Sequence, residues 1–303
     1  MSRLKVLLLA SSPEELRPFV RTCCPRRLAG GLGKGWYLEG AEFQGLALLL
    51  GMGGTAPEFL AAQAMDQYSP EVVVVAGFSG ALTVVPPPTG LVVAETCWRL
   101  APDGLRLQPQ EFPAAVRSTA DLVTKLRHAG LPATAGTLIT TAQVTGKASL
   151  LPLAAPLTAP VLDLETAAIA AAAQARSLPL LAVRAITDGA GEEIQDFLAR
   201  IIHRHQGVPL SRLLPALLAH PSRLRYILHL WGRARQAALH LAKALDLILK
   251  YLAAIRVAVP DAGEAGGTLS AGRNFDMPRH ARLTNRRFQS SAGGQGQAGE
   301  ENN

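Results

Sequence analysis

The stretch APVLDLETAAIAAAA, residues 159–173, passes from an apolar run into an alanine-rich segment across two carboxylates, Asp163 and Glu165. They are the only charged residues between Lys147 and Arg176. A short strand that ends in an acid and runs directly into a helix is the building unit of an α/β domain. Asp163 reads as the cap of that helix, because a carboxylate accepts the free N–H groups of a first turn. Glu165 reads as a candidate site acid, because ligands of α/β sheets collect beyond the carboxyl ends of strands.

The same alternation extends in both directions. LKVLLLA (4–10) predicts a buried strand and PEELRPFVRTC (13–23) the helix after it. GKGWYLEG (33–40) and GLALLLGMGG (45–54) predict paired strands, and TAPEFLAAQAMDQY (55–68) a helix capped by Thr55. EVVVVAGFSG (71–80) and TGLVVAETCW (89–98) predict buried strands. Val72 to Ala94 carries no charge and is long enough to cross a bilayer, but GFSG and VPPPTG interrupt any helix there, so it reads as two strands and a turn. STADLVTKLRHAG (118–130) has a serine cap and a glycine stop. TAGTLITTAQV (134–144) and LPLLAVRAITDGAGE (178–192) predict further strands, the second running into a loop. The expected fold is a three-layer α/β/α sandwich around a central mixed sheet, spanning residues 1–206.

Charge divides the remainder. The first 199 residues sum to −2, whereas residues 200–258 hold ten basic residues and one acidic, a net +9. Within that segment Leu224, Ile227, Leu228, Trp231, Ala238, Leu241, Leu245, Ile248, Leu249 and Leu252 recur at helical steps opposite arginines and lysines. Residues 207–258 therefore read as a basic amphipathic helical extension, and the glycine-rich residues 259–303 as a disordered tail. RHARLTNRRFQ in that tail is basic, but the tail as a whole is neutral, so no nucleic-acid partner is expected. The histidines from His203 to His240 show no ligand spacing and are expected to face solvent. Cys23, Cys24 and Cys97 are odd in number and lack metal spacing, which predicts free thiols, a reducing cytoplasm and no metal.

Three acids sit at strand ends: Glu15 after the first strand, Glu165, and Asp188 closing LLAVRAITD. The glycine loops GMGG (51–54) and GFSG (77–80) also end strands, so Gly51, Gly53 and Gly77 are candidates for close backbone approach to a ligand. Arg184, on a strand, reads as structural.

LGMGG followed by SPEVVVVAGFSGAL, then VLDLETAAIA and VRAITDGAGE, together resemble the nucleoside phosphorylase/nucleosidase superfamily. In particular they resemble its methylthioadenosine/S-adenosylhomocysteine nucleosidase branch, in order and spacing, from about Lys5 to Glu193. The resemblance implies Asp188 as the acid that protonates the purine N7, Glu165 as the carboxylate on the ribose 2′-hydroxyl, and Glu15 as the acid that positions water. Such residue types suit the chemistry, since cleaving an N-glycosidic bond leaves positive charge on the sugar and negative charge on the base. It requires Asp188 to be protonated in an apolar surrounding and Glu165 to stay ionised at its helix N-terminus. Departures from the family pattern modify the expectation. Val75 stands at the phosphate-binding arginine position and ASSPEE replaces the first-strand phosphate motif, which favours water over phosphate. Phe78 replaces a small polar residue, Leu164 a methionine that packs on the sugar, and Val144 an aromatic that stacks on adenine.

The extension is similar to the ending of the hopanoid-associated phosphorylase subgroup, which implies adenosylhopane, a nucleoside with a lipid at its 5′ side, as a substrate. It would fit an apolar 5′ pocket and a helix able to lie on an anionic inner membrane face. The resemblance further implies a homodimer, a small nucleoside as ligand and no cofactor. Phosphate-dependent phosphorylase activity, a non-catalytic nucleoside-binding protein and a membrane-surface scaffold stand as alternatives.

Overall fold

In the computed structural model, residues 3–28, 32–51, 56–143, 145–192 and 221–258 are described, all within one compact unit spanning 1–260. The Thr55 cap, Gly53, Val144, His203, His205, His220 and the tail lie outside them.

Ten strands form one mixed sheet. Strand β1 (Leu4–Ala10) pairs in parallel with β4 (Phe43–Leu49) and β5 (Val72–Ala81), and β3 (Lys34–Glu39) extends it antiparallel beside β4. The two-residue β2 (Arg26–Arg27) ends that wing. On its other side the sheet curls. β10 (Leu180–Asp188) is parallel to β5 and antiparallel to β6 (Leu91–Leu100). β6 runs parallel to β8 (Ala133–Thr140), which runs parallel to β9 (Val161–Asp163). Because β9 returns antiparallel to β5, these five strands close into a ring. β7 (Leu107–Gln110), unannounced by its polar sequence, pairs with the far end of β6.

Strand alternation sorts the core into two faces. Val6, Leu8, Val72, Val74 and Ala76 join one cluster, while Leu7, Leu9, Val73 and Val75 join the other. A sheet covered on both sides needs apolar residues at every position, which is why LKVLLLA and VVVVA show no polar alternation. Helices α2 (Ala56–Tyr68) and α5 (Thr166–Gln174) cover the second face through Ala61, Ala64, Met65, Ile169 and Ala173. Helices α1 (Pro13–Val20) and α3 (Thr119–His128) cover the first, with Ser118 capping α3 through the Asp121 N–H at 3.1 Å. α4 (Lys147–Ala154) lies between β8 and β9 in sequence.

The basic extension forms one long helix, α6 (Pro221–Ala258). Its apolar stripe of Ala237, Leu241, Leu245, Ile248, Leu249 and Leu252 is buried in the same cluster as Leu16 and Phe19 of α1 and Leu126 of α3. His240, expected in solvent, is half-buried with its Nδ1 2.7 Å from the Thr89 carbonyl, because that face of the helix rests on the core. Among the described residues no helix is long and apolar enough to cross a membrane.

Candidate active site

Glu15 enters the site from the first turn of α1. Its Oε2 accepts the backbone N–H groups of Ser11 and Ser12, each at 2.8 Å, and its Oε1 accepts that of Phe78 at 2.9 Å. The first two are what any helix-capping acid does. The third ties α1 to the middle of β5, 63 residues away, and fixes the carboxylate over the sheet.

Beside it lies Arg184 of β10, 1% exposed and among the largest fully buried side chains. Its Nη2 is 2.5 Å from Asp163 Oδ2, 2.6 Å from Thr166 Oγ1 and 4.0 Å from Glu165 Oε2. Asp163 also accepts the Thr140 hydroxyl at 2.5 Å, the Thr166 hydroxyl, and the Thr166 N–H at 3.3 Å. It thus serves the first turn of α5 from just outside it, while Glu165 occupies the N-cap position and makes no side-chain cap bond. Three buried carboxylates therefore surround one guanidinium. Burial works against the charge of Arg184, but Asp163, Glu165 and Glu15 outweigh it and hold its pKa above the usual value. Burial pushes Glu15 up, against the N–H bonds and Arg184. Burial also pushes Glu165 up to about 7, with Arg184 pulling down and Asp163 and Glu15 adding to the rise. Lost hydration and two neighbouring acids thus work against the ionised form expected of Glu165.

Asp188 ends β10 beyond an irregularity that breaks its register with β5 between Ile186 and Asp188. Such a bulge re-aims a side chain. Its surroundings are not the apolar ones expected. Lys147, 3% exposed at the start of α4, places Nζ 2.5 Å from Asp188 Oδ2 and 2.6 Å from the Gly189 carbonyl. Oδ1 accepts the Thr187 hydroxyl at 2.8 Å. The Lys147 contact is a close ion pair rather than an aligned hydrogen bond, and Oδ2 has no other donor. Next along, Glu192 accepts the Gly189 N–H at 3.1 Å and pairs with Arg233 of α6.

Glycines make this packing feasible. Gly77 is in register with Arg184 and Gly80 with Asp188 across the β5–β10 pair. A Cβ on Gly77 would overlap the Arg184 guanidinium and lie 2.9 Å from Glu15 Oε1. One on Gly80 would lie 2.5 Å from Asp188 Oδ2 and 3.1 Å from Lys147 Cε. The close approach expected at Gly77 is thus taken by Arg184 and Glu15.

Of the residues selected from sequence, Glu15, Glu165, Gly77 and Phe78 meet around Arg184, and Asp188 lies farther along the same strand pair. Phe78 and Leu164 are half-buried. Gly51 is exposed, adopts φ +79°, and donates its N–H to the Ser11 carbonyl at 3.1 Å beside Glu15. Lys147 and Gly80 were missed, and Arg184 was read as structural without its carboxylates. A charged residue inside a strand as apolar as LLAVRAI is the signal that points to a buried ion pair at Arg184. A separate cavity of about 540 Å³, lined by Leu4, Val72, Pro179, Tyr251 and Leu252, opens at the opposite ends of the parallel strands. Among the described residues no group of three His, Cys, Asp or Glu side chains is placed to hold a metal.

A ring-closed mixed sheet between helical layers, with buried acids at its strand ends, defines an α/β protein whose candidate site lies at the carboxyl ends of its strands. The chain belongs to the phosphorylase superfamily, whose family description matches residues 5–215. No curated protein sequence matches it. Among solved structures, it resembles 5′-methylthioadenosine/S-adenosylhomocysteine nucleosidase from Helicobacter pylori at 14% identity, with a TM-score of 0.61 and coverage of 83% of this chain and 100% of that one. Futalosine hydrolase of H. pylori strain 26695, as a mutant, matches at 13% identity and a TM-score of 0.59, over 82% and 99% of the two chains. The S. pneumoniae methylthioadenosine/S-adenosylhomocysteine nucleosidase matches at 17% identity and a TM-score of 0.59, over 82% and 100%. At these identities the likeness is one of fold.

Proposed function

We propose that the protein is a purine nucleosidase that hydrolyses the N-glycosidic bond of a 5′-substituted adenosine. The observation that carries this reading is where the buried cations go. Among the described residues the buried cations are Arg184 and Lys147, and each is engaged by carboxylates. A phosphate nucleophile needs cationic or N–H donors, whereas a water nucleophile needs an acceptor, which Glu15 supplies. Water held by Glu15 attacks C1′ as the bond to the base breaks. Ionised Glu165 on the 2′-hydroxyl stabilises the oxocarbenium-like sugar, and Asp188 receives the departing purine.

Supporting an apolar 5′ substituent are the half-buried Phe78, whose N–H meets Glu15, and Leu164, which lies between Asp163 and Glu165 in sequence. Leu228 and Trp231 of α6 are 55% and 60% exposed, with Arg235 one turn further on. This patch supports contact with an anionic lipid surface, which suits a lipid-bearing nucleoside. The test is adenine release from 5′-methylthioadenosine and from 5′-alkylated adenosines, with and without phosphate. Release without phosphate is expected. Strict phosphate dependence refutes hydrolysis in favour of phosphorolysis, and tight binding without release favours a non-catalytic nucleoside-binding protein.

A further inference from the structure

Lys147 is placed where elementary electrostatics disfavours it. It is the first residue of α4, where the helix dipole repels a cation, and no acidic residue shares that turn. It is also almost fully buried, which strips an ammonium of its hydration. Three segments are nevertheless shaped around it. β10 supplies Asp188 and the carbonyls of Gly189, at 2.6 Å, and Asp188, at 3.4 Å. β5 supplies Gly80, whose missing side chain leaves the space for both charged groups. α4 supplies the lysine. Glu192, paired with Arg233, completes the charged neighbourhood. Asp188 Oδ2 faces Lys147 and lacks an aligned hydrogen-bond donor, so it keeps an acceptor site within the buried pair.

We infer that Lys147 holds the proton that the departing base takes up, and delivers it through Asp188. This rests on the nucleosidase reading above. As the C1′–N9 bond breaks, its electron pair passes to the purine. A Lys147 Nζ–H bond breaks as an O–H bond forms on Asp188 Oδ2. That O–H bond breaks in turn as N7–H forms on the base. Asp188 ends as it began, a carboxylate, and Lys147 is left neutral. The attacking water forms the new C1′–O bond and loses a proton to Glu15. That proton passes to solvent, from which Lys147 is recharged, so the net reaction is nucleoside plus water to ribose and base. Lys147 is a positioning and proton-holding residue that acts through Asp188.

The experiment compares the full-length wild type and Lys147→Met on two substrates, adenosine and N7-methyladenosine. The second needs no proton, because its base departs neutral. The variant is expected to lose about a hundredfold or more in kcat/KM on adenosine, within the range for a lost proton donor. It should stay within about threefold of wild type on N7-methyladenosine, a result that also shows the variant is folded. Equal losses on both substrates, or no loss on adenosine, overturn the inference while leaving the nucleosidase reading intact. A wild type active on adenosine but inert on the methylated substrate overturns it too, since a base that needs no proton should depart unaided. A wild type that releases base from neither, nor from the 5′-substituted adenosines above, overturns the nucleosidase reading itself, and one active only on the 5′-substituted adenosines is compared on those and their N7-methyl forms.

Discussion

Replacing Glu165 with Gln removes a buried ionisable group and leaves its shape. Burial raises this carboxyl from 4.5 to about 7, with Arg184 opposing and Asp163 and Glu15 reinforcing. Each pKa unit corresponds to about 1.4 kcal/mol, so the shift amounts to about 3 kcal/mol, as an order of magnitude. The sign follows from which state holds the proton. The folded state keeps it up to about pH 7, while the unfolded chain releases it near the ordinary glutamate value. Wild-type stability attributable to this group is therefore complete below about pH 4.5 and is lost as pH rises through about 7. Gln cannot lose that proton. Urea unfolding of both proteins at several pH values between about 4.5 and 8.5 should show the variant gaining on the wild type by about 3 kcal/mol across the range, mostly below neutrality. Glu15 is raised in the same direction, but it is present in both proteins, so the difference isolates Glu165. A pH-independent difference, or one that grows toward acid, refutes the reasoning. In the wild type, kcat/KM for adenine release should fall about tenfold per pH unit below about 7, and this limb should be absent from the much weaker activity of Glu165→Gln.

Other changes test the packing around the acids. Arg184→Leu leaves three buried carboxylates without their cation and should destabilise by about 3–5 kcal/mol in chemical denaturation. Gly80→Ala forces a Cβ against Asp188 and Lys147, and should lower stability by about 1–3 kcal/mol and reduce turnover together. Leu245→Ala, on α6, should cost about 2–5 kcal/mol, because α6 belongs to the same core as α1, and thermal unfolding would check it.

The fold was readable because its strands are apolar on both faces and its helices are not, so the change of period marks each boundary. VPPPTG separates β5 from β6 as expected from its prolines. Glu15 and Glu165 were readable for a related reason, as acids placed where a strand gives way to a helix. Lys147 was not. Its helix carries Pro152, no acid in the first turn and only eight residues, so none of the usual start signals marks it. Its burial depends on Gly80 and Asp188, which only the closed sheet brings beside it. Asp188 was placed at a strand end, but its partner was invisible for the same reason, and an apolar surrounding was inferred in its place. Arg184 was recognised as structural, but not the three carboxylates gathered around it.

The closing of the strand ring has a consequence for the order in which the molecule is made. β10 joins β5 to β6, yet among the described strands it is the last to leave the ribosome, more than ninety residues after β5. Until it arrives the sheet is an open ribbon, and Glu15, Asp163 and Glu165 have no guanidinium to gather around. Three acids cannot be drawn into a dry interior without it, so they stay hydrated and apart. Pairing over so long a separation is slow, and here the delay is useful. The buried cluster of acids around Arg184 can assemble only as the barrel shuts, so a half-made chain carries no unbalanced charge into the core.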